Sequence, residues 1–164
     1  MRHEKDMDIT FKTEEGRFNY RVCAMILHNG KILAMKDQAS PYYYLPGGRV
    51  HLHEAADDAV LREVREELGV EANIVRPVWL NQGFFEEDVT GERFHELCIY
   101  YLVDVSGTDL LSRGETFLWQ EGKRTHTYTW LPFERLEEEY FYPKFLKKKI
   151  FSLPDTLTIQ AEYE

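Results

Sequence analysis

The stretch that decides the fold runs from Gly48 to Val70 and reads GRVHLHEAADDAVLREVREELGV. Its later part has the periodicity of an amphipathic helix over Glu54–Leu68, and Gly69 stands where a helix is expected to stop. Glu67 points in nearly the same direction as Val60, which is a costly place for an unpaired carboxylate. The apolar residues fall on one stripe of this predicted helix, namely Ala56, Val60, Leu61, Val64 and Leu68.

Three glutamates, Glu63, Glu66 and Glu67, share one edge of the predicted helix because they are spaced i, i+3 and i+4. Within the helix only Glu66 has a cationic neighbour one turn away, Arg62. Like charges at this spacing repel one another, and more strongly once water is removed. A divalent cation would relieve the repulsion, and the hard ions Mg²⁺ and Mn²⁺ prefer carboxylate oxygens. The alternative is an acidic helix face that water solvates.

The spacing of the whole stretch is more specific than its glutamates alone. It follows G-x5-E-x7-R-E-U-x-E-E-x-G-U, where U is aliphatic, with Gly48, Glu54, Arg62, Glu63, Val64, Glu66, Glu67, Gly69 and Val70 at the fixed positions. Nine constrained positions would arise by chance in such a chain about once in a million. The pattern resembles the box of the Nudix hydrolases in full. Leu45–Gly47, Trp130–Pro132 and Pro143–Leu146 are also similar to that family, so the resemblance covers nearly the whole chain.

The resemblance implies an α/β (α+β) architecture, a mixed β-sheet sandwiched between α-helices. It also implies a single Nudix hydrolase domain over residues 1–164 with the box at 48–70. The implied activity is hydrolysis of a nucleoside diphosphate linked to another moiety, by water attack on phosphorus. A non-catalytic module that senses nucleotides or contacts proteins is the alternative. Modules of that kind typically lose box glutamates, whereas this chain keeps them.

Site residues are carried over from the resemblance position by position. Glu63, Glu66 and Glu67 would be carboxylate ligands of Mg²⁺ or Mn²⁺, and the Gly48 carbonyl would complete the site. Gly47 and Gly48 are expected to allow close backbone approach and a positive φ. The metal would neutralise the diphosphate and lower the pKa of a bound water.

The catalytic set also includes an ion pair and a general base. Arg62 and Glu54 would orient the metal ligands, since residues behind the ligands fix their geometry. Glu66 or Glu67 is the candidate base inside the box, and Glu115 and Glu121 are candidates from later loops. The residue types do not choose among them.

The chain departs from the commonest family pattern at His51 and His53, where many relatives have Glu and Gly. A His-x-His pair could add metal ligands. The other interpretation is two loop histidines near the start of the helix. The change leaves the number of metal ions open.

Outside the box the pattern is rich in strands. Tyr20–His28 and Lys31–Met35 flank Asn29-Gly30, which is a strong hairpin signal. Further strands are predicted over Ala72–Gln82, Phe94–Val105 and Thr125–Leu131. A second helix is predicted over Leu136–Phe151, with Pro143 near its start.

Composition excludes several functional classes. The 164 residues carry 20 basic and 29 acidic side chains, a net charge of −9, so no nucleic-acid polymer is expected as a partner. No apolar run is long enough to cross a membrane, and Met1–Asp8 is too charged for a signal peptide. Cys23 and Cys98 are interpreted as reduced core thiols, which favours a cytoplasmic protein.

Aromatic side chains and two arginines could recognise a small nucleoside-diphosphate-type substrate. Each is interpreted first as a packing or surface residue, and the set comprises Tyr42, Tyr43, Tyr44, Trp79, Phe84, Phe85, Arg49 and Arg93. A surface rich in Tyr and Phe could also serve a homodimer. The identity of the diphosphate substrate is left open, because specificity lies in variable loops.

Overall fold

A computed structural model describes residues 6–164 of the chain. The expectation for Met1–Asp8 falls mainly on residues 1–5, which lie outside the described residues. Nine strands and two α-helices follow one another as β1 (Thr10–Thr13), β2 (Gly16–His28), β3 (Lys31–Lys36), β4 (Gly47–Arg49), α1 (Ala56–Leu68), β5 (Asn73–Glu86), β6 (Arg93–Asp104), β7 (Thr116–Glu121), β8 (Arg124–Pro132), α2 (Leu146–Lys149) and β9 (Thr158–Tyr163). Two short 3₁₀ helices, Leu110–Ser112 and Phe133–Glu138, lie between these elements.

The strands form one mixed sheet in the order β7-β8-β3-β2-β6-β5-β9, with β1 and β4 also paired to β2. β2 and β6 are parallel, as are β5 and β9, while the other pairs are antiparallel. The predicted hairpin is confirmed, since β2 and β3 meet at Asn29-Gly30 and both turn residues have positive φ. The other three predicted strands are present with shifted ends. β1, β4, β7 and β9 were not predicted.

Both faces of the sheet are covered, and β2 shows how. Alternate residues of a strand point to opposite faces. Val22, Ala24 and Ile26 pack on one side with the apolar stripe of α1. Cys23 and Met25 pack on the other side, beneath the 3₁₀ segment Phe133–Glu138 and α2. The fold is therefore the expected mixed sheet between helical layers.

The helix predicted over Leu136–Phe151 was wrong in extent. A 3₁₀ segment ends at Glu138, and α2 has only four residues. Pro143 disfavours helix in the residue before it and lacks an N–H. In addition, the backbone N–H of Tyr43 donates to the Tyr140 carbonyl, and the Tyr43 carbonyl accepts from the N–H of Tyr142. These hydrogen bonds form a β-bridge, which is incompatible with a helix at this point. Within residues 6–164, neither helix has the length and apolarity that a membrane span requires.

Candidate active site

The Gly48–Val70 stretch folds as β4, a loop and α1, and it lines a groove beside the sheet. The helix ends at Gly69 in the left-handed conformation, as predicted. Val60, Val64 and Leu68 of the expected stripe are buried, as is Glu67, whereas Ala56 and Leu61 are half-buried against the same core. The groove has a volume of about 410 Å³ and is lined by Asp8, Arg21, Tyr44, Gly47, Gly48, Arg49, His51, Arg62, Glu63, Glu66, Glu67, Glu121, Arg124 and His126.

Gly47 and Gly48 matter here for space and not for backbone freedom. The expectation of a positive φ was wrong, because both residues lie in β4 and pair with β2 in ordinary strand conformation. A Cβ on Gly47 would collide with the carbonyl oxygen of Val22. A Cβ on Gly48 would collide with the carboxylate of Glu63. The missing side chains therefore let the strand lie directly against the helix carboxylates.

Glu63 and Glu67 form a carboxyl pair at the base of the groove. Glu67 is only 5% exposed, and its Oε1 accepts a hydrogen bond of 3.0 Å from the Gly47 N–H. Glu63 lies one helical turn before Glu67, so the two carboxyl groups are neighbours on the same edge of α1. Burial raises the pKa of both groups above the ordinary glutamate value, and for Glu67 the charge of Glu63 adds to the effect.

Arg62 links the carboxylates of the site. Its Nε and Nη2 donate to both oxygens of Glu54 at 2.8 and 3.0 Å, the bidentate ion pair that the sequence predicts. Its Nη1 donates to Glu63 at 2.9 Å and to Glu66 at 3.3 Å. The expectation that only Glu66 has a cationic partner was therefore wrong. Residues i and i+1 do not face each other along a helix, yet the long guanidinium reaches across to Glu63.

The donor set fits a hard divalent cation. Glu63 places its carboxylate against Gly48 and Glu67 places its carboxylate against the N–H of Gly47, and a cation between them would relieve the repulsion of the pair. Glu66 is the third acidic member, and its side chain is 46% exposed. Among residues 6–164, no three acidic, His or Cys side chains already converge as a finished metal site. The ligand roles of Glu63, Glu66, Glu67 and Gly48 thus stay predictions.

The two loop candidates for a general base are separated by the structure. Glu121 lines the groove. Glu115 is exposed outside the groove, and its Oε1 lies 3.1 Å from Nζ of Lys31. His126, which the sequence analysis missed, is 2% exposed, and its Nε2 lies 3.0 Å from Oε1 of Glu121. β7 and β8 pair His126 with Trp119, so both side chains point to one face of the sheet. Glu121 is two residues after Trp119 on β7 and points to the same face, which brings it beside His126. The alternation THTYTWL predicted the strand but not what its histidine contacts.

The histidines of the loop before α1 also separate. His51 lines the groove, with Nε2 3.3 Å from Oδ1 of Asp8. His53 is exposed and has a positive φ of 69°, so it serves the turn. Of the two arginines, Arg49 lines the groove and Arg93 lines neither cavity described here.

A second cavity of about 340 Å³ lies next to the groove, on the α2 side of the sheet. Arg21 and Tyr44 line both spaces, so the two are adjacent. Of the aromatic candidates, Tyr42, Tyr44 and Phe85 line this cavity. Trp79 is a core residue, as its packing interpretation predicts.

Comparison with known proteins agrees with this geometry. The NUDIX domain family model matches residues 17–150. A CTP pyrophosphohydrolase of Escherichia coli is 32% identical over 116 residues, covering 68% of this chain and 82% of the relative. An ADP-ribose pyrophosphatase of Methanocaldococcus jannaschii is 32% identical over 92 residues, 54% of this chain, which spans about half (52%) of that relative.

The fold is similar to solved structures as well. A structure described as an ADP-ribose pyrophosphatase from Streptococcus suis aligns with a TM-score of 0.57 at 17% identity, covering 88% of this chain and 98% of that one. At this identity the likeness concerns the fold alone. With the family model matching residues 17–150, the chain belongs to the NUDIX domain family and is a Nudix hydrolase.

Proposed function

We propose that this protein hydrolyses a nucleoside diphosphate linked to another moiety, with Mg²⁺ or Mn²⁺ as cofactor. One observation carries the proposal. The desolvated pair Glu63–Glu67, with Arg62 beside it, lies in a groove that shares two lining residues with a second cavity of about 340 Å³. A charged phosphate end and a larger organic end would each find a complementary space. The two 32% identical relatives are named for hydrolysis of such compounds.

The metal would be held by Glu63, Glu66, Glu67 and the Gly48 carbonyl. When bound, it would neutralise phosphate charge and favour deprotonation of water. Arg62 holds Glu63 and Glu66 in one orientation while Glu54 fixes Arg62. The backbone N–H of Gly47 holds Glu67.

The residue that accepts the proton from water is partly exposed in the groove. Glu66 and Glu121 meet this condition, with side chains 46% and 30% exposed, whereas Glu67 is buried and already hydrogen-bonded. Glu66→Gln and Glu121→Gln should both slow turnover. The variant that also removes the acidic limb of the pH profile of kcat identifies the base.

The central experiment measures product release from a panel of nucleoside diphosphate compounds with Mg²⁺, with Mn²⁺ and with chelator. We expect metal-dependent cleavage that Glu67→Gln reduces by about 100-fold or more, since the variant loses a ligand of the site. Glu71→Gln is the matched control, because Glu71 is exposed and pairs with Arg65 outside the groove. It should keep activity within about twofold.

Turnover by Glu67→Gln at the wild-type rate would overturn the ligand assignment. Binding of panel compounds without any turnover would favour the sensing module instead. The small-molecule substrate is the only partner proposed, and the expectation of no nucleic-acid polymer and no membrane partner stays a prediction from the sequence. The homodimer and the cytoplasmic location stay predictions from the sequence.

A further inference from the structure

The second cavity has an unusual floor where three strands lie side by side. Gly83 of β5 pairs with Glu96 of β6 on one side and with Glu162 of β9 on the other. Residues directly paired across strands point to the same face of a sheet. A residue without a side chain therefore stands between two glutamates, leaving a notch with a carboxyl group on each flank. The flanking Cα atoms are roughly 10 Å apart, two strand spacings.

The notch is open space that the fold does not need to fill. A Cβ on Gly83 would meet no atom closer than 3.5 Å, and no positive φ requires glycine there. The cavity is also strongly acidic, with seven acidic and two basic residues among the twenty that line it. Its charge disfavours an anionic occupant and favours groups that donate hydrogen bonds.

Carboxylates at the rim of the cavity already have donors. Asp37 accepts a hydrogen bond from Tyr44, Glu87 from Tyr42, and Asp88 from Tyr142. The two beside the notch are less satisfied. Glu96, 8% exposed, accepts from the Asn19 amide at 3.2 Å and lies 3.7 Å from Arg21. Glu162 has an oxygen, Oε2, that is buried without any hydrogen-bond partner among the described residues.

We propose that the Gly83 notch, flanked by Glu96 and Glu162, binds a nucleobase through the N–H donors of its exocyclic amino group. The substrate class is then a nucleotide whose base carries an exocyclic amino group. The inference rests on the proposed function, because a diphosphate bound in the groove would place the attached nucleoside beside the adjacent cavity, which shares Arg21 and Tyr44 with the groove. Tyr42 and Phe85 on the cavity wall supply flat surfaces against which a base can stack.

The test compares pairs of ligands that differ mainly in one amino group. CMP against UMP and GMP against IMP are titrated calorimetrically into the metal-free protein, so binding is read without turnover. The triphosphates CTP and UTP, GTP and ITP are then compared for kcat/KM with Mg²⁺. We expect the amino-bearing member of each pair to be favoured at least about tenfold, because its analogue leaves a buried acceptor unpaired.

Two variants locate the preference. Glu162→Ala should reduce the preference for the amino-bearing ligand of each pair to about threefold or less. Gly83→Ala should raise KM severalfold with little change in kcat, because the added methyl group occupies the notch. Glu138→Ala is the control, because Glu138 is exposed and lines neither cavity. It should leave both quantities unchanged.

The outcomes separate the two proposals. Equal binding of the paired monophosphates, or a preference that Glu162→Ala leaves intact, would overturn the base-binding inference while hydrolysis still supports the proposed function. A clear amino preference in binding without metal-dependent hydrolysis would overturn the proposed function and keep the base site.

Discussion

Removing the guanidinium of Arg62 should weaken the fold and the activity together. In Arg62→Met the side chain keeps much of its length but loses hydrogen bonds to Glu54, Glu63 and Glu66 and to the Arg49 carbonyl. The side chains of Arg62, Glu54 and Glu63 are only 13–16% exposed, so water screens these charges weakly. Charged hydrogen bonds contribute about 1.5–3 kcal/mol each, and breaking a buried pair leaves its partner uncompensated.

These contributions are not additive, and we expect the free energy of unfolding to fall by about 3 kcal/mol. For a chain of this length that corresponds to a decrease in Tm of roughly 6–12 °C. Activity should fall by about 10–100-fold if Glu63 and Glu66 are the metal ligands that we propose, because Arg62 holds both carboxylates. The measurements are thermal unfolding in chelator and kcat/KM at saturating Mg²⁺.

Arg65→Met, on the same helix, is the matched control. Arg65 pairs with Glu71, and both side chains are more than half exposed, so its loss should cost less than about 1 kcal/mol and leave activity intact. If Arg62→Met destabilised the protein no more than Arg65→Met does, the hydrogen bonds of Arg62 would not organise the site.

Three further predictions concern other parts of the molecule. Gly48→Ala places a methyl group on the nearest carboxylate of α1, so we expect at least a tenfold loss of metal-dependent activity, whereas Gly107→Ala, which has open space around its Cβ, should be silent in the same assay. Tyr128→Phe removes a buried hydrogen bond of 2.6 Å to the carbonyl of residue 67, and unfolding in denaturant should show a loss of about 1–2 kcal/mol. Burial and the neighbouring Glu164 raise the pKa of Glu162 to about 8, whereas it is roughly 4.3 in the unfolded chain. Between these two pH values the folded state holds one more proton than the unfolded state, so the free energy of unfolding falls as pH rises. Glu162→Gln should reduce that fall by about 0.5 kcal/mol per pH unit after allowance for partial exposure, and parallel slopes for variant and wild type in thermal melts from pH 5 to 8 would contradict it.

The sequence predicts the box well because its chemistry is local. The spacing of Glu63 and Glu67 by four residues places both on one helix edge whatever the rest of the chain does. The direction of Glu67 toward the apolar stripe also indicates its burial, which the structure confirms at 5% exposure. What the helix alone could not indicate is the reach of Arg62 to Glu63, since side-chain length and not helical spacing decides that contact.

Segments whose conformation depends on distant partners were less predictable. Leu136–Phe151 has the composition of a helix, yet the backbone groups of Tyr140 and Tyr142 form hydrogen bonds with Tyr43, nearly a hundred residues earlier. His126 has no local signal as a site residue, because its partner Glu121 lies on the neighbouring strand and only their pairing brings the two side chains together.

The same distinction explains why the catalytic groove can be recognised from one segment and the neighbouring cavity cannot. Metal ligands on one helix need a fixed spacing, which a motif records. The notch at Gly83 exists only because three strands align Glu96, Gly83 and Glu162 in one row, through one antiparallel and one parallel pairing. A shift of β9 by one residue would turn Glu162 to the opposite face and remove one flank of the notch. On our proposals, substrate choice in this chain therefore depends on strand register, whereas the hydrolytic chemistry depends on helix periodicity.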